Sequence, residues 1–247
     1  MRNQEHWKSS KFIYRKGKLI GSRNPMEVGI SSRLVTDLTV EFYDHNLRLY
    51  VSGKLLDLGC GKVPLYGTYR ELVTDNICVD WVNTLHKNQH LDYELDLTKQ
   101  LPFGDNEFNT IILSDVLEHI LVPEQLWSEM TRALSRKGKT IINVPFYYWL
   151  HEKPHDYYRY TEFALRRFVE TYGLKLIQLE PMGGAMEVMA DIFAKNILRL
   201  PKLGHSGALL AQWLASSFRK TKLGRKVSEA TGRNFPIGYF LVAEKPY

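Results

Sequence analysis

Asp57-Leu58-Gly59-Cys60-Gly61, at the end of a short apolar stretch, has the residue types of a ligand-binding loop. Glycines let the backbone turn tightly and pass close to a ligand. Asp80 follows Asp57 by twenty-three residues and ends the next apolar segment. An acid there accepts hydrogen bonds from ribose hydroxyls. The loop is not a dinucleotide fingerprint, because Pro64 stands where the third glycine would fall. It is not a P-loop either, since Val63 rather than Ser or Thr follows Lys62. Asp57, two positions before the first glycine, is awkward for a pyrophosphate and suits a ligand carrying a cationic ammonium.

A second concentration of chemistry lies in residues 146–161, where aromatics are interleaved with His151, His155, Asp156 and Arg159. Functional side chains favour such loops. Imidazole titrates near neutral pH, so His151 or His155 could act as general base toward a hydroxyl, with His119 a third candidate. Asp156 and Arg159 either pair to pin the loop or, with Tyr148 and Tyr158, contact a substrate. His151-Glu152-Lys153-Pro154-His155 has the spacing of a zinc-protease motif, but that motif needs a helix and Pro154 would break one. No metal ligands are expected here or elsewhere.

The elements that must position these residues alternate in type. Strands are expected at 55–58, 77–79, 94–97, 110–113, 140–144, 174–179 and 238–243. The spacing of Leu34, Leu38 and Phe42 predicts an amphipathic helix over 31–50. A further helix starts at Pro123, and another at Thr161 as N-cap, ended by Gly173. Short apolar strands alternating with helices imply a mostly parallel sheet covered on both faces, with ligands at the carboxyl ends of the strands.

In that setting Leu55-Leu56-Asp57-Leu58-Gly59-Cys60-Gly61 resembles motif I of the class I S-adenosylmethionine-dependent methyltransferases. The likeness runs in order over roughly 53–180, in the branch similar to ubiquinone methyltransferases. Asp80 matches the family's ribose acid, and Asp96 before Leu97 matches its acid near the adenine. Ser114-Asp115-Val116-Leu117-Glu118-His119 matches the end of its fourth strand, and Arg132-Ala133-Leu134 with Gly138 the turn into the fifth. The resemblance implies S-adenosylmethionine as cofactor, held by Asp57, Gly59, Cys60, Gly61, Asp80, Trp81, Asp96, Leu97 and Ser114. It implies a Rossmann-like doubly wound α/β fold with a seven-stranded, mostly parallel sheet. Val63 stands where many members have a third glycine. His151, Pro154, Asp156, Tyr158, Arg159, Tyr160 and Thr161 resemble the H-x-x-P-x-D-x-Y-R-Y-T segment of a subgroup associated with saccharide and cell-envelope pathways. The expected activity is O-methylation of a saccharide, a lipid-linked glycan or another small metabolite. Alternatives are a quinone-like or lipid acceptor, or a non-catalytic member that holds a partner.

The 247 residues carry a net charge of +6. That is short of a dedicated nucleic-acid binder, and the Asn/Asp-Pro-Pro-Tyr/Phe motif of base-amine methylation is absent at the fourth strand. Two cysteines exclude a disulfide scaffold. No signal segment or membrane span is read, so a cytoplasmic protein is expected. Residues 1–50 read as a basic arm, solvated in its first 23 residues, followed by a helix. Residues 51–247 read as the methyltransferase domain, with a helical insertion at 181–235. The insertion holds two apolar helix faces among nine basic residues from Lys195 to Arg233. It reads either as a cap over the acceptor site or a homodimer contact, or as a patch lying on an anionic membrane at its inner face.

Overall fold

The structure, a computed structural model, describes residues 1–82 and 89–247. Its centre is a seven-stranded sheet of β3 (Gly53–Leu58), β4 (Val73–Asp80), β5 (Tyr93–Glu94), β6 (Phe108–Ser114), β7 (Leu134–Pro145), β8 (Lys175–Met182) and β9 (Gly238–Glu244), in the order β5-β4-β3-β6-β7-β9-β8. β9 alone runs antiparallel to its neighbours β7 and β8. The strand order reverses at β3, which pairs with both β4 and β6. A crevice opens at such a switch point, beyond the strands' carboxyl ends.

β3 is apolar because both faces of the sheet are covered. Leu56 and Leu58 point into one core with Ile111, Leu113, Trp127 and Leu165. Leu55 points into the other with Tyr43, Leu47, Ile112 and Phe240. The first core is closed by α3 (Pro123–Ala133) and α4 (Glu162–Thr171). Trp127, fully buried, stacks on Phe168 with ring centroids 5.4 Å apart. Thr161 caps α4 as expected, accepting from Ala164 N at 3.2 Å, and Gly173 takes a positive φ beyond its end. The second core is closed by α1 (Arg33–Tyr50).

The first 23 residues are not a solvated arm. β1 (Phe12–Arg15) and β2 (Lys18–Gly21) form a hairpin whose buried Phe12 and Leu19 join the second core. Arg15, Lys16 and Lys18 stay in solvent. Burial alternates along β2, with Leu19 and Gly21 buried and Lys18 and Ile20 exposed, while Phe12 is the buried residue of β1. Trp7 then donates its indole N–H to Val63 O at 3.0 Å.

The third expected strand shrinks to Tyr93–Glu94. Its ladder stops because Asp96 turns the chain, accepting the Thr98 N–H and hydroxyl. Leu97 is buried beyond the strand.

The insertion forms α5 (Ala185–Ile197), α6 (Gly204–Arg219) and α7 (Lys222–Gly232). It docks on α1 rather than over the strand ends: Gln212 accepts from Leu34 N at 2.9 Å and donates to Ile30 O at 2.7 Å. Val188 and Ala215 pack on Leu34 and Leu38. Two of its nine cations are already engaged, because Lys195 is buried against Asp191 and Arg219 pairs with Glu41. No helix among the described residues is long and apolar enough to cross a membrane.

Candidate active site

β3 ends in the glycine loop. Gly59 has φ +67°, and a Cβ on it would lie 2.3 Å from Val116 Cγ2, so only glycine fits. Gly59 N and Cys60 N both donate to Val79 O, at 2.8 and 3.0 Å. Gly61, at φ +51°, donates to Asp80 Oδ2 at 3.1 Å, while Asp80 Oδ1 accepts from Trp81 N at 2.9 Å. Val63, at the missing third glycine, keeps a glycine-like φ of +50°, a conformation that β-branched residues rarely adopt. The fully buried Val63 side chain and the Trp7 bond to its carbonyl hold the loop in that shape.

Asp57 lies at the floor, 3% exposed, accepting from the Tyr69 hydroxyl at 3.1 Å. Burial pushes its carboxyl up to about 7; the Tyr69 bond opposes this, and the nearby Asp80 charge adds to it. A buried acid in this state is poised for a cationic partner.

Above these residues a cavity of about 610 Å³ opens at the carboxyl ends of the strands. Asp57, Gly59, Cys60, Gly61, Asp80 and Trp81 line one side, and Asp96, Leu97 and Ser114 continue the wall. Cys60 and Cys78 are both buried.

Across the cavity stand His119, Glu152, His155 and Tyr157. His119 rides on a 3-10 turn, Leu117–His119, directly after β6, and its Nδ1 donates to His155 O at 2.8 Å. The His155 ring meets Trp81 edge-on with centroids 4.9 Å apart, and its Nδ1 is 3.1 Å from the Tyr157 hydroxyl. His151 sits behind this wall, edge-on to His119 at 4.8 Å. Residues 151–155 form no helix, and the two histidines of the zinc-protease spacing point into different clusters.

Tyr148, Asp156, Tyr158 and Arg159 do not line the cavity. Asp156 is forked by Arg159, with one contact at 2.8 Å, and accepts from His151 N at 2.9 Å. Burial works against its charge, but these bonds outweigh it and hold the carboxyl down at about 2. Tyr158 donates to Leu121 O at 2.9 Å. The Tyr148 hydroxyl lies 3.3 Å from Ser32 Oγ, and the Lys195 ammonium sits 3.7 Å from its ring centre.

Sequence reasoning missed Lys11, Asp115, Glu152 and Tyr157 as wall residues. Lys11 reaches Asp115 Oδ2 at 3.0 Å across 104 positions. No local signal marks that pair, although Asp115 adjoins Ser114.

Residues 56–142 match the family model of a methyltransferase domain. That segment is an S-adenosylmethionine-dependent methyltransferase domain. S-adenosylmethionine is the cofactor of such domains, and the cradle fits it: Gly59, where a Cβ would collide with Val116, and a buried acid poised for a cation. An uncharacterized protein of Methanocaldococcus jannaschii is 33% identical over 104 residues, covering 36% of this chain and 40% of that protein. The matched region thus spans less than half the length of this curated relative.

Solved structures share the domain's fold at low identity. A SAM-dependent methyltransferase from Archaeoglobus fulgidus has a TM-score of 0.52 at 16% identity, covering 91% of this chain and 95% of that one. A chain of the complex between the Haloferax volcanii Trm112 methyltransferase activator and the putative methyltransferase gives 0.55 at 14%, covering 89% and 98%. The [4+2]-cyclase SpnF gives 0.54 at 14%, covering 96% and 87%. One architecture thus carries differently named activities.

Proposed function

We propose that the domain methylates a hydroxyl group of a saccharide, a lipid-linked glycan or another small metabolite. The observation that carries this reading is His155, on the cavity wall with its ring edge against Trp81. S-adenosylmethionine, when bound, supplies a methyl group on a sulfonium whose sulfur leaves as a neutral thioether.

In this reading the residues of this chain hold, orient and move a proton. Asp57 faces the cofactor's ammonium, Asp80 its ribose, and Asp96 with Leu97 its adenine end. Ser114, Cys60 and the two loop glycines complete the cradle. An alcohol is a poor nucleophile, so His155 accepts the hydroxyl proton as the acceptor oxygen attacks the methyl carbon. Positioning of this kind is worth about 7–11 kcal/mol. The Asp156–Arg159 fork fixes the segment that presents His155. Tyr148 and Tyr158 brace the same segment from outside the cavity.

A lipid-linked acceptor is supported by the outer faces of α5 and α6. Met189, Ile192 and Phe193 on one, and Leu210, Trp213 and Leu214 on the other, are exposed. Arg199, Lys202, Lys220, Lys222, Arg225 and Lys226, all exposed, lie in and around them. Apolar faces set among cations suit peripheral contact with an anionic membrane.

The test is transfer of labelled methyl from S-adenosylmethionine to saccharide, lipid-linked glycan and quinol acceptors. His155→Gln should lower kcat while S-adenosylhomocysteine still binds. A chain that binds S-adenosylhomocysteine but labels no acceptor would favour the non-transferring reading, which the likeness to a cyclase keeps in view.

A further inference from the structure

Glu118 is placed where an unaided carboxylate is poorly tolerated. The turn after β6 buries it completely, at 0% exposure, and neither carboxylate oxygen has a hydrogen-bond partner among the described residues. A buried charge needs a counter-charge or hydrogen bonds.

Two imidazoles converge on it. His119 Nε2 and His151 Nε2 each lie 3.7 Å from Glu118 Oε1, beyond hydrogen-bond range. Their outer nitrogens are committed as donors. His119 Nδ1 is 2.8 Å from His155 O. His151 Nδ1 is 3.3 Å from both Trp149 O and Asp156 Oδ2. These partners only accept, so Nδ1 carries the proton in each ring, and in a neutral ring Nε2 presents its lone pair. Two lone pairs and a carboxylate therefore face one gap, with donor atoms of all three residues within 4.8 Å of one another.

We propose that Glu118, His119 and His151 bind a divalent first-row transition-metal cation such as zinc. Two imidazoles with one carboxylate select such metals over magnesium or calcium. Three protein ligands leave a coordination position open, as in catalytic zinc sites. The His155 carbonyl and Asp156 orient the rings as outer partners of metal-bound histidines do. Glu152 Oε2, 4.0 Å from His119 Nε2, stands at the cavity side of the cluster. The sequence pattern hid this set: only His151 of the zinc-protease spacing takes part, and its partners come from the turn after β6.

The test uses the tag-free chain, stripped with a chelator and titrated with Co²⁺ and then Zn²⁺. The expected result is about one Co²⁺ per chain with a visible ligand-field band, displaced by Zn²⁺. Glu118→Gln and His151→Asn should each weaken binding roughly tenfold or more, and His205→Asn, on α6, should not. Zn²⁺ should raise the melting temperature of the wild type and leave that of Glu118→Gln unmoved. S-adenosylhomocysteine binding shows that each variant is folded. Its absence in the wild type would sink the methyltransferase reading while leaving the cation result intact. No stoichiometric binding below about 100 µM, or binding indifferent to both variants, overturns the proposal and leaves a proton on His151 as the neutralising charge.

Discussion

Gly61 donates its backbone N–H to Asp80 Oδ2 at 3.1 Å, which joins the loop after β3 to the acid ending β4. Asp80 thus shapes the loop as well as facing the cavity. Asp80→Ala should weaken S-adenosylhomocysteine binding by roughly 10- to 100-fold, the worth of hydrogen bonds to a charged group. Calorimetry on wild type and variant, with NAD as control, measures it. An unchanged affinity would remove Asp80 from the cradle.

Gly59 leaves no room for a side chain. Gly59→Ala forces a residue into positive φ and drives Cβ against Val116. A loss of about 2–4 kcal/mol is expected from strain plus overpacking, read by denaturant unfolding.

Asp57 predicts a pH dependence. Its carboxyl titrates near 7 in the folded chain, against an ordinary value of 3.8. The folded state therefore holds this proton more tightly, so the stability contribution is full below about 4 and is lost as pH rises through about 7. A cationic ammonium favours the ionised form, so cofactor binding expels the proton. S-adenosylhomocysteine affinity should rise with pH below 7, by up to about tenfold per unit, then level off. Asp57→Asn should flatten the profile; a flat wild-type profile would place the ammonium elsewhere.

Arg159 is the fork that pins residues 151–160. Arg159→Ala leaves the nearly buried Asp156 without its main partner. Stability should fall by about 1–3 kcal/mol, with faster proteolysis at Lys153 and little change in S-adenosylhomocysteine affinity. If affinity collapsed and stability held, Arg159 would be a ligand contact rather than a brace.

The exposed faces of α5 and α6 should carry the chain onto anionic vesicles in flotation, with binding weakened at high salt. Leu210→Asp with Trp213→Asp should abolish it. Flotation that ignores salt or the double variant counts against membrane contact. A concentration-dependent dimer lost in the double variant would assign the faces to a second copy.

Much of the glycine-loop side of the cavity was legible from residue types alone. Asp57, Gly59, Gly61 and Asp80 sit at strand ends, and in a parallel sheet strand ends gather at one edge whatever the loops do. Thr161 and Gly173 bounded α4 because a helix's first N–H and last C=O groups need local partners. The N-terminal hairpin was hidden because its basic residues suggested solvent, whereas Phe12 and Leu19 join the second core.

The other side of the cavity belongs to tertiary structure. Lys11 meets Asp115, and Glu118 meets His151, through the packing of distant segments over the end of β6. The apolar stripes of α5 and α6 were visible as periodicity, but periodicity cannot say which stripe meets α1 and which stays bare. Local sequence determined the sheet, its helices and the glycine loop, because hydrophobic period, caps and glycine conformation act over a few residues. The opposite wall, the buried Glu118 with its two histidines, and the uncovered helix faces were decided only when the chain folded, because burial and side-chain convergence depend on residues far apart in sequence.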